Sequence, residues 1–262
     1  MSYSTILFLK EKFIGKVILN RPEIHNAFDD LMISELHSAL DQIGKDSEIR
    51  VVIITGAGES FCAGADLNWM RRVKDWSYEK NFEDALRVAE LMEKIYTFPK
   101  PVITRVNGTT IGGGTGIVAS SDIAIASENA IFGLAEVKIG LVPSVISPYL
   151  IKRCGERVCR EIFLTGERIS AKKALEFGLV NYIVPYQELD KKVEEIVNML
   201  ISSGPNAMRM CKELIKKVSE TPINKVKSYT ADIIAKIRIS EEGQEGISSF
   251  LEKRKPKWFG DR

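Results

Sequence analysis

The sequence predicts an α/β protein whose later part turns helical, and three observations carry this reading. Short β-branched runs alternate with amphipathic stretches through the first half of the chain. Glycine, proline and small polar residues punctuate most changes of pattern. From Pro148 onward helical periodicity takes over, interrupted only by a strand-like run from Val180 to Val184.

Taken in order, Thr5 to Leu9 and Lys16 to Leu19 read as short strands. Asp29 is a candidate N-cap for a helix to Ile43, with Leu31, Ile33, Leu36, Leu40 and Ile43 at helical spacing. Val51 to Thr55 is a β-branched run, hence a buried strand, followed by a loop through Gly64 and a polar stretch. Glu83 to Thr97 is helical and is ended by Phe98-Pro-Lys-Pro101. A strand from Val102 to Val106 leads to the glycines 112–114 and a short helix to Ser120. Strands follow at Ile123 to Ala126 and Ala130 to Phe132. Helices are then expected over Arg157 to Thr165, Ala171 to Phe177, Leu189 to Ile201, Ala207 to Val218, Ile223 to Ile237 and Glu242 to Glu252. Gly204-Pro205 and Thr221-Pro222 punctuate them without a low-complexity linker, so the chain reads as a core over 1–200 and a helical region over 201–262.

Composition excludes several function classes. A chain of 262 residues with 45% hydrophobic content buries a substantial core, and 37 basic against 35 acidic residues give no imbalance that would point to nucleic acid. Four cysteines and two histidines fit no zinc spacing, so no metal site is expected. No apolar run reaches the roughly 18 to 20 residues of a membrane span, nor is there a basic-then-apolar signal pattern. A reduced, cytoplasmic protein is expected.

Two loops carry the chemistry. Ser60-Phe-Cys-Ala-Gly-Ala-Asp-Leu67 and Ile111-Gly-Gly-Gly-Thr-Gly116 each follow an apolar strand, so both leave backbone amides facing one cleft. Bare glycine backbone lets a carbonyl oxygen approach within hydrogen-bonding distance, and a helix starting at the second loop adds positive potential there. Such a pair of loops suits an oxyanion hole and enolate chemistry. The glycines at 112, 114 and 116 do not give the G-x-G-x-x-G register of a dinucleotide site, and no Gly-Lys-Ser/Thr follows to make a P-loop.

At these residues the sequence resembles the crotonase superfamily, the enoyl-CoA hydratases and isomerases, from about Ile6 to Phe259. The matching segments are Leu19-Asn-Arg-Pro-Glu-Ile-His-Asn-Ala-Phe28, Phe61-Cys-Ala-Gly-Ala-Asp-Leu67, Val106-Asn-Gly-Thr-Thr-Ile-Gly-Gly-Gly114 and Phe132-Gly-Leu-Ala-Glu-Val-Lys-Ile-Gly-Leu-Val-Pro143. The resemblance implies a spiral of ββα units, with a helical C-terminal region that covers the active site and assembles trimers or hexamers. It implies an acyl-CoA thioester as substrate, with no cofactor beyond the coenzyme A that the substrate carries.

Carried over by position, the amides of Ala65 and Gly113 hold the thioester oxygen, and Glu136 moves a proton at the α-carbon. Glu23, His25, Ala27, Ala63, Asp66, Leu67, Asn68, Gly112, Gly116 and Lys253 are implied as substrate and CoA contacts. Asp66 is read as a helix-capping carboxylate, Trp69 and Met70 as acyl-pocket lining, and Cys62 as a small buried turn residue.

The sequence departs from the commonest hydratases at Gly116, where those enzymes carry a second glutamate. Gly64-Ala-Asp-Leu-Asn-Trp-Met70 and Gly140-Leu-Val-Pro-Ser-Val-Ile-Ser-Pro148 are similar to the 3-methylglutaconyl-CoA hydratase branch. That branch implies a substrate with a free carboxylate, which is expected to lie near the space left at Gly116 and help position water, held by a basic residue such as Arg72 or Lys138. A Δ3,Δ2-enoyl-CoA isomerase using one glutamate is the alternative, and a non-catalytic binding protein of the same fold is opposed by Glu136.

Overall fold

The computed structural model describes residues 3–259. β1 (Ile6–Glu11) and β2 (Ile14–Leu19) form an antiparallel hairpin, and Asp29 caps α1 (Asp30–Lys45) by accepting from Met32 N. Thereafter one pattern repeats, in which a strand of a large sheet is followed by a strand of a small one and then by helix. β3 (Val51–Gly56) and β4 (Ser60–Cys62) precede α2 (Leu67–Val73) and α3 (Tyr78–Tyr96). β5 (Val102–Val106) and β6 (Thr109–Ile111) precede α4 (Gly113–Ser120), and β7 (Ile123–Ser127) and β8 (Ile131–Gly133) precede α5 (Ser147–Cys154) and α6 (Glu156–Thr165). β9 (Arg168–Ser170), α7 (Ala171–Glu176), β10 (Tyr182–Val184) and α8 (Leu189–Ile201) complete the core.

The large sheet runs β1-β2-β3-β5-β7-β10, parallel from β2 onward, and the small sheet runs β4-β6-β8-β9. Side-chain alternation along β3 divides the interior in two. Val52 and Ile54 join the main core with α1, α3 and α4, whereas Val51 and Ile53 meet Val193, Ile196 and Val197 of α8 on the opposite face. A strand buried on both faces is continuously apolar, as Val51-Val-Ile-Ile54 is.

The remaining helices, α9 (Pro205–Ser219), α10 (Lys227–Ile239) and α11 (Glu241–Leu251), bury little. They are tied to the end of the sheet where β3 and β7 begin. Arg50 donates to the carbonyls of Ser203 and Trp258, and Lys212 pairs with Asp122 at 2.6 Å. The active-site loops follow β4 and β6, the small-sheet strands reached from the other end of β3 and β5.

Five elements were not foreseen, among them α5, whose span Ser147–Cys154 precedes the first of the expected C-terminal helices. β4, β6 and β9 are three-residue strands, too short to show a period of two, and α2 lies in the stretch read as polar loop. α3 begins at Tyr78 rather than Glu83, with Ser77 as its cap. Leu31, expected on the buried face of α1, is exposed, and Met32 takes the place in the core. No helix among the described residues is long and apolar enough to cross a membrane.

Candidate active site

Both glycine loops open on one cavity of about 520 Å³ between α2, α3 and the segment 135–146. Ala63, Ala65, Leu67, Trp69, Met70, Gly112, Gly113 and Glu136 line it. Local hydrogen bonding aims the first loop. Phe28 N donates to Gly64 O and Asp66 N donates to Phe28 O, each at 2.9 Å, so Phe28 pairs with Ala65 as in a parallel ladder. In that pairing the N–H of Ala65 points away from Phe28. Neither it nor the N–H of Gly113 has a hydrogen-bond partner among the described residues.

The second loop requires glycine for two separate reasons. Gly112 has φ +53° and ψ −119°, a backbone region that side-chain-bearing residues avoid. At Gly113 an added Cβ would come within 2.0 Å of the Phe28 ring. Gly113 is also the first residue of α4, so its free amide lies at the positive end of the helix.

Glu136 begins the short 3₁₀ turn Glu136–Ile139 after β8 and reaches back over the second loop. Its Oε1 lies 3.3 Å from where a Cβ on Gly112 would stand, and its buried Oε2 has no partner among the described residues. Burial pushes its carboxyl up from the usual value, opposed by a hydrogen bond from its own backbone amide. A half-buried carboxyl whose pKa burial raises, beside two amides unpaired among the described residues, can deliver a proton to a carbon next to a bound carbonyl.

Asp66 stands behind the first loop. It accepts from Asn68 N and Trp69 N at 2.7 and 3.2 Å, capping α2, and pairs with Arg21 at 2.8 Å. Burial works to raise its pKa, but those amides and Arg21 outweigh it and hold the carboxyl below the usual range. Arg21 also pairs with Asp29, so one guanidinium joins the caps of α1 and α2.

Other implied contacts lie outside the cavity. The Glu23–Ala27 turn is bound to the first loop, since Ala63 N donates to His25 O and His25 Nδ1 lies 3.1 Å from Ser60 Oγ. Glu23, His25, Ala27, Asp66 and Asn68 do not line the cavity. Lys253 is exposed beyond α11, in a segment folded onto its own acids through Arg254, Glu245 and Glu252. No described residue beyond Ile146 lines the cavity, so within one chain the helical region does not cover it.

Gly116 overturns an expectation. It is buried on α4 and off the cavity, and a Cβ there would meet Ile146 Cγ2 at 2.2 Å and Met92 Sδ at 3.3 Å. The space left by the absent carboxylate is filled by Ile146, which does line the cavity. Nor do the proposed cations face that space: Arg72 is exposed and paired with Asp30, and Lys138 is exposed with its stem against Gly166.

Sequence reading also missed Asp84, which lines the cavity from α3. A signal was present, because position 84 falls on the same helical stripe as Val88, Leu91, Met92 and Ile95, the buried face of α3. A carboxylate on a core-facing stripe needs a reason.

With this geometry in view, residues 10–261 match the family described as Enoyl-CoA hydratase/isomerase. The chain belongs to the enoyl-CoA hydratase/isomerase family. It is 33% identical to a short-chain-enoyl-CoA hydratase of Clostridium acetobutylicum over 100% of both chains. It is 32% identical to a crotonyl-CoA hydratase of Syntrophomonas wolfei, over 97% of this chain and 98% of the other. The crystal structure of an enoyl-CoA hydratase from Shewanella pealeana superposes with a TM-score of 0.95 at 39% identity, covering 97% of this chain and 96% of that one. The two-strand-and-helix repeat is therefore the crotonase fold, and the protein is an enzyme of hydratase/isomerase type acting on acyl-CoA.

Proposed function

We propose that this enzyme adds water to an α,β-unsaturated acyl-CoA. The thioester oxygen is held as an enolate by the amides of Ala65 and Gly113, while Glu136 gives the α-carbon its proton. The observation that carries this reading is the convergence on a single cavity of two amides unpartnered among the described residues and one half-buried carboxyl whose pKa burial raises. The relatives named as hydratases support the direction of the chemistry.

The lining bears on the acyl group. Among the described residues its ionisable side chains are Glu136 and Asp84, and no basic side chain joins them. A terminal carboxylate would meet two acids and the apolar Ile146, which argues for an uncharged acyl chain over 3-methylglutaconyl-CoA. The four cysteines are free thiols, in keeping with a reducing compartment such as the cytoplasm. Assembly into trimers or hexamers is part of the same proposal.

Turnover of crotonyl-CoA, a 3-enoyl-CoA and 3-methylglutaconyl-CoA tests the reading. The expected result is hydration of crotonyl-CoA with the highest kcat/KM of the set. Conversion of 3-enoyl to 2-enoyl thioester without water uptake would replace it by the isomerase reading, which the single glutamate beside the amides favours. Faster hydration of 3-methylglutaconyl-CoA would overturn the uncharged acyl chain.

A further inference from the structure

Hydration needs a group to take a proton from water, and the position where the commonest hydratases keep one is occupied here by Ile146. We propose that Asp84 is the base that takes the proton from the attacking water, with the Trp69 indole as the neighbouring donor that tunes it. This inference rests on the hydratase reading above.

Asp84 meets the requirements of that role by placement. It and Glu136 are the ionisable side chains lining the cavity among the described residues, and they enter from different walls, Asp84 from α3 and Glu136 from the turn after β8. On α3 it shares the stripe of Val88, Leu91, Met92 and Ile95, so the helix that packs into the core carries the carboxylate to the cavity.

Its surroundings tune it without neutralising it. Trp69 is 8% exposed, and its indole N–H lies towards Asp84 without closing a hydrogen bond, leaving this buried donor unpaired among the described residues. Burial raises the Asp84 carboxyl and the Trp69 N–H lowers it; Asp30 of α1 then raises it, against Arg87 of α3 and Arg72 of α2. The balance raises the carboxyl and so strengthens the base, which suits proton abstraction from water better than an ordinary surface aspartate.

The chemistry balances. Asp84 takes a proton from water as the oxygen bonds to the β-carbon. The π electrons of the double bond move to give the enolate, whose oxygen rests on Ala65 and Gly113. The enolate then takes a proton from the Glu136 carboxyl at the α-carbon. Water has been added; Asp84 has gained a proton and Glu136 lost one, and exchange with solvent resets both.

The test separates water activation from enolate chemistry. Hydration of crotonyl-CoA is compared with exchange of the α-protons of butyryl-CoA in deuterated water, which needs the amides and Glu136 but no base on water. Asp84→Asn should lower hydration kcat by about 100-fold or more, with exchange within about threefold of wild type, and should remove the acidic limb of the hydration pH profile. Trp69→Phe should move that limb to higher pH, since the donor that lowers the Asp84 pKa is gone. Hydration by Asp84→Asn within about threefold of wild type would overturn the proposal, as would equal loss of hydration and exchange, the mark of a structural role. A wild type that exchanges protons and isomerises but never hydrates would instead sink the hydratase reading itself.

Discussion

At the scale of single residues, Glu136 holds opposing demands together. Its burial favours the protonated carboxyl that proton delivery needs, and the same burial makes ionisation unfavourable to the fold. The native state therefore retains the proton above the usual carboxyl value of 4.5, so stability falls as pH rises from that value through the native pKa. Glu136→Gln keeps the volume and removes the charge. Turnover should drop by roughly 100- to 10,000-fold with binding of an acyl-CoA thioester little changed. Melting curves should show the variant gaining on wild type as pH is raised from about 4 to about 8. Retention of more than about a tenth of wild-type kcat would remove Glu136 from the chemistry.

The companion test is Gly113→Pro, which deletes an amide worth about 100- to 1,000-fold in rate if it binds the enolate oxygen. Because any side chain at 113 presses on Phe28, circular dichroism and a melting curve must show a folded variant before its rate is read. Folded protein with normal turnover would refute the oxyanion assignment.

At the scale of elements, α4 joins the site to the core through its packing partners. Its N-terminus offers Gly113 to the cavity, and one turn later Gly116 is pressed between Ile146 and Met92. A glutamate at 116, which sequence comparison alone would make a water-activating base, has no room. Gly116→Glu should instead destabilise the protein by about 1–3 kcal/mol or more, seen as a lowered Tm, with no gain in crotonyl-CoA hydration. Adding Ile146→Ala should recover part of the lost Tm, because the partners touch and their effects are coupled. Full stability of the single variant would show that the wall yields and that the position is open after all.

The same helix shows what was legible in the sequence. The β-branched runs of β3, β5 and β7, the capped α1 and the two glycine loops were readable, because each carries a period, a cap or a turn residue that local physics dictates. Of the small sheet only β8 was: β4, β6 and β9 each span three residues, and pairing partners distant in sequence define them. Asp84 and Ile146 escaped for a related reason. Their roles follow from which wall of the cavity they reach, and that is set by how α3 and the 143–146 segment pack on α4.

At the scale of the whole molecule, the described chain leaves apolar surface that its own core does not use. Ile223, Phe250, Ile239 and Leu251 are 89%, 82%, 79% and 72% exposed, all on or beside the C-terminal helices. Single exposed apolar residues are ordinary, but this group sits on helices that bury almost nothing within the chain. Each such side chain gains about 1.5–3 kcal/mol when fully buried. Four per chain can therefore offset the roughly 4–15 kcal/mol of freedom lost on association. Light scattering of the full chain should accordingly give a particle three or six times the 29.3 kDa of one chain. Phe250→Glu with Ile239→Glu should shift it towards the single-chain mass, because an unpaired charge at a buried interface is strongly disfavoured. The reading is sensitive to activity as well as mass, since the described part of one chain brings nothing beyond Ile146 to its own cavity. If a neighbouring subunit completes the CoA side of the site, the dissociated variant should raise KM for crotonyl-CoA more than it lowers kcat. A wild-type particle of one chain's mass with full turnover would refute the assembly and show that the site is complete in a single subunit.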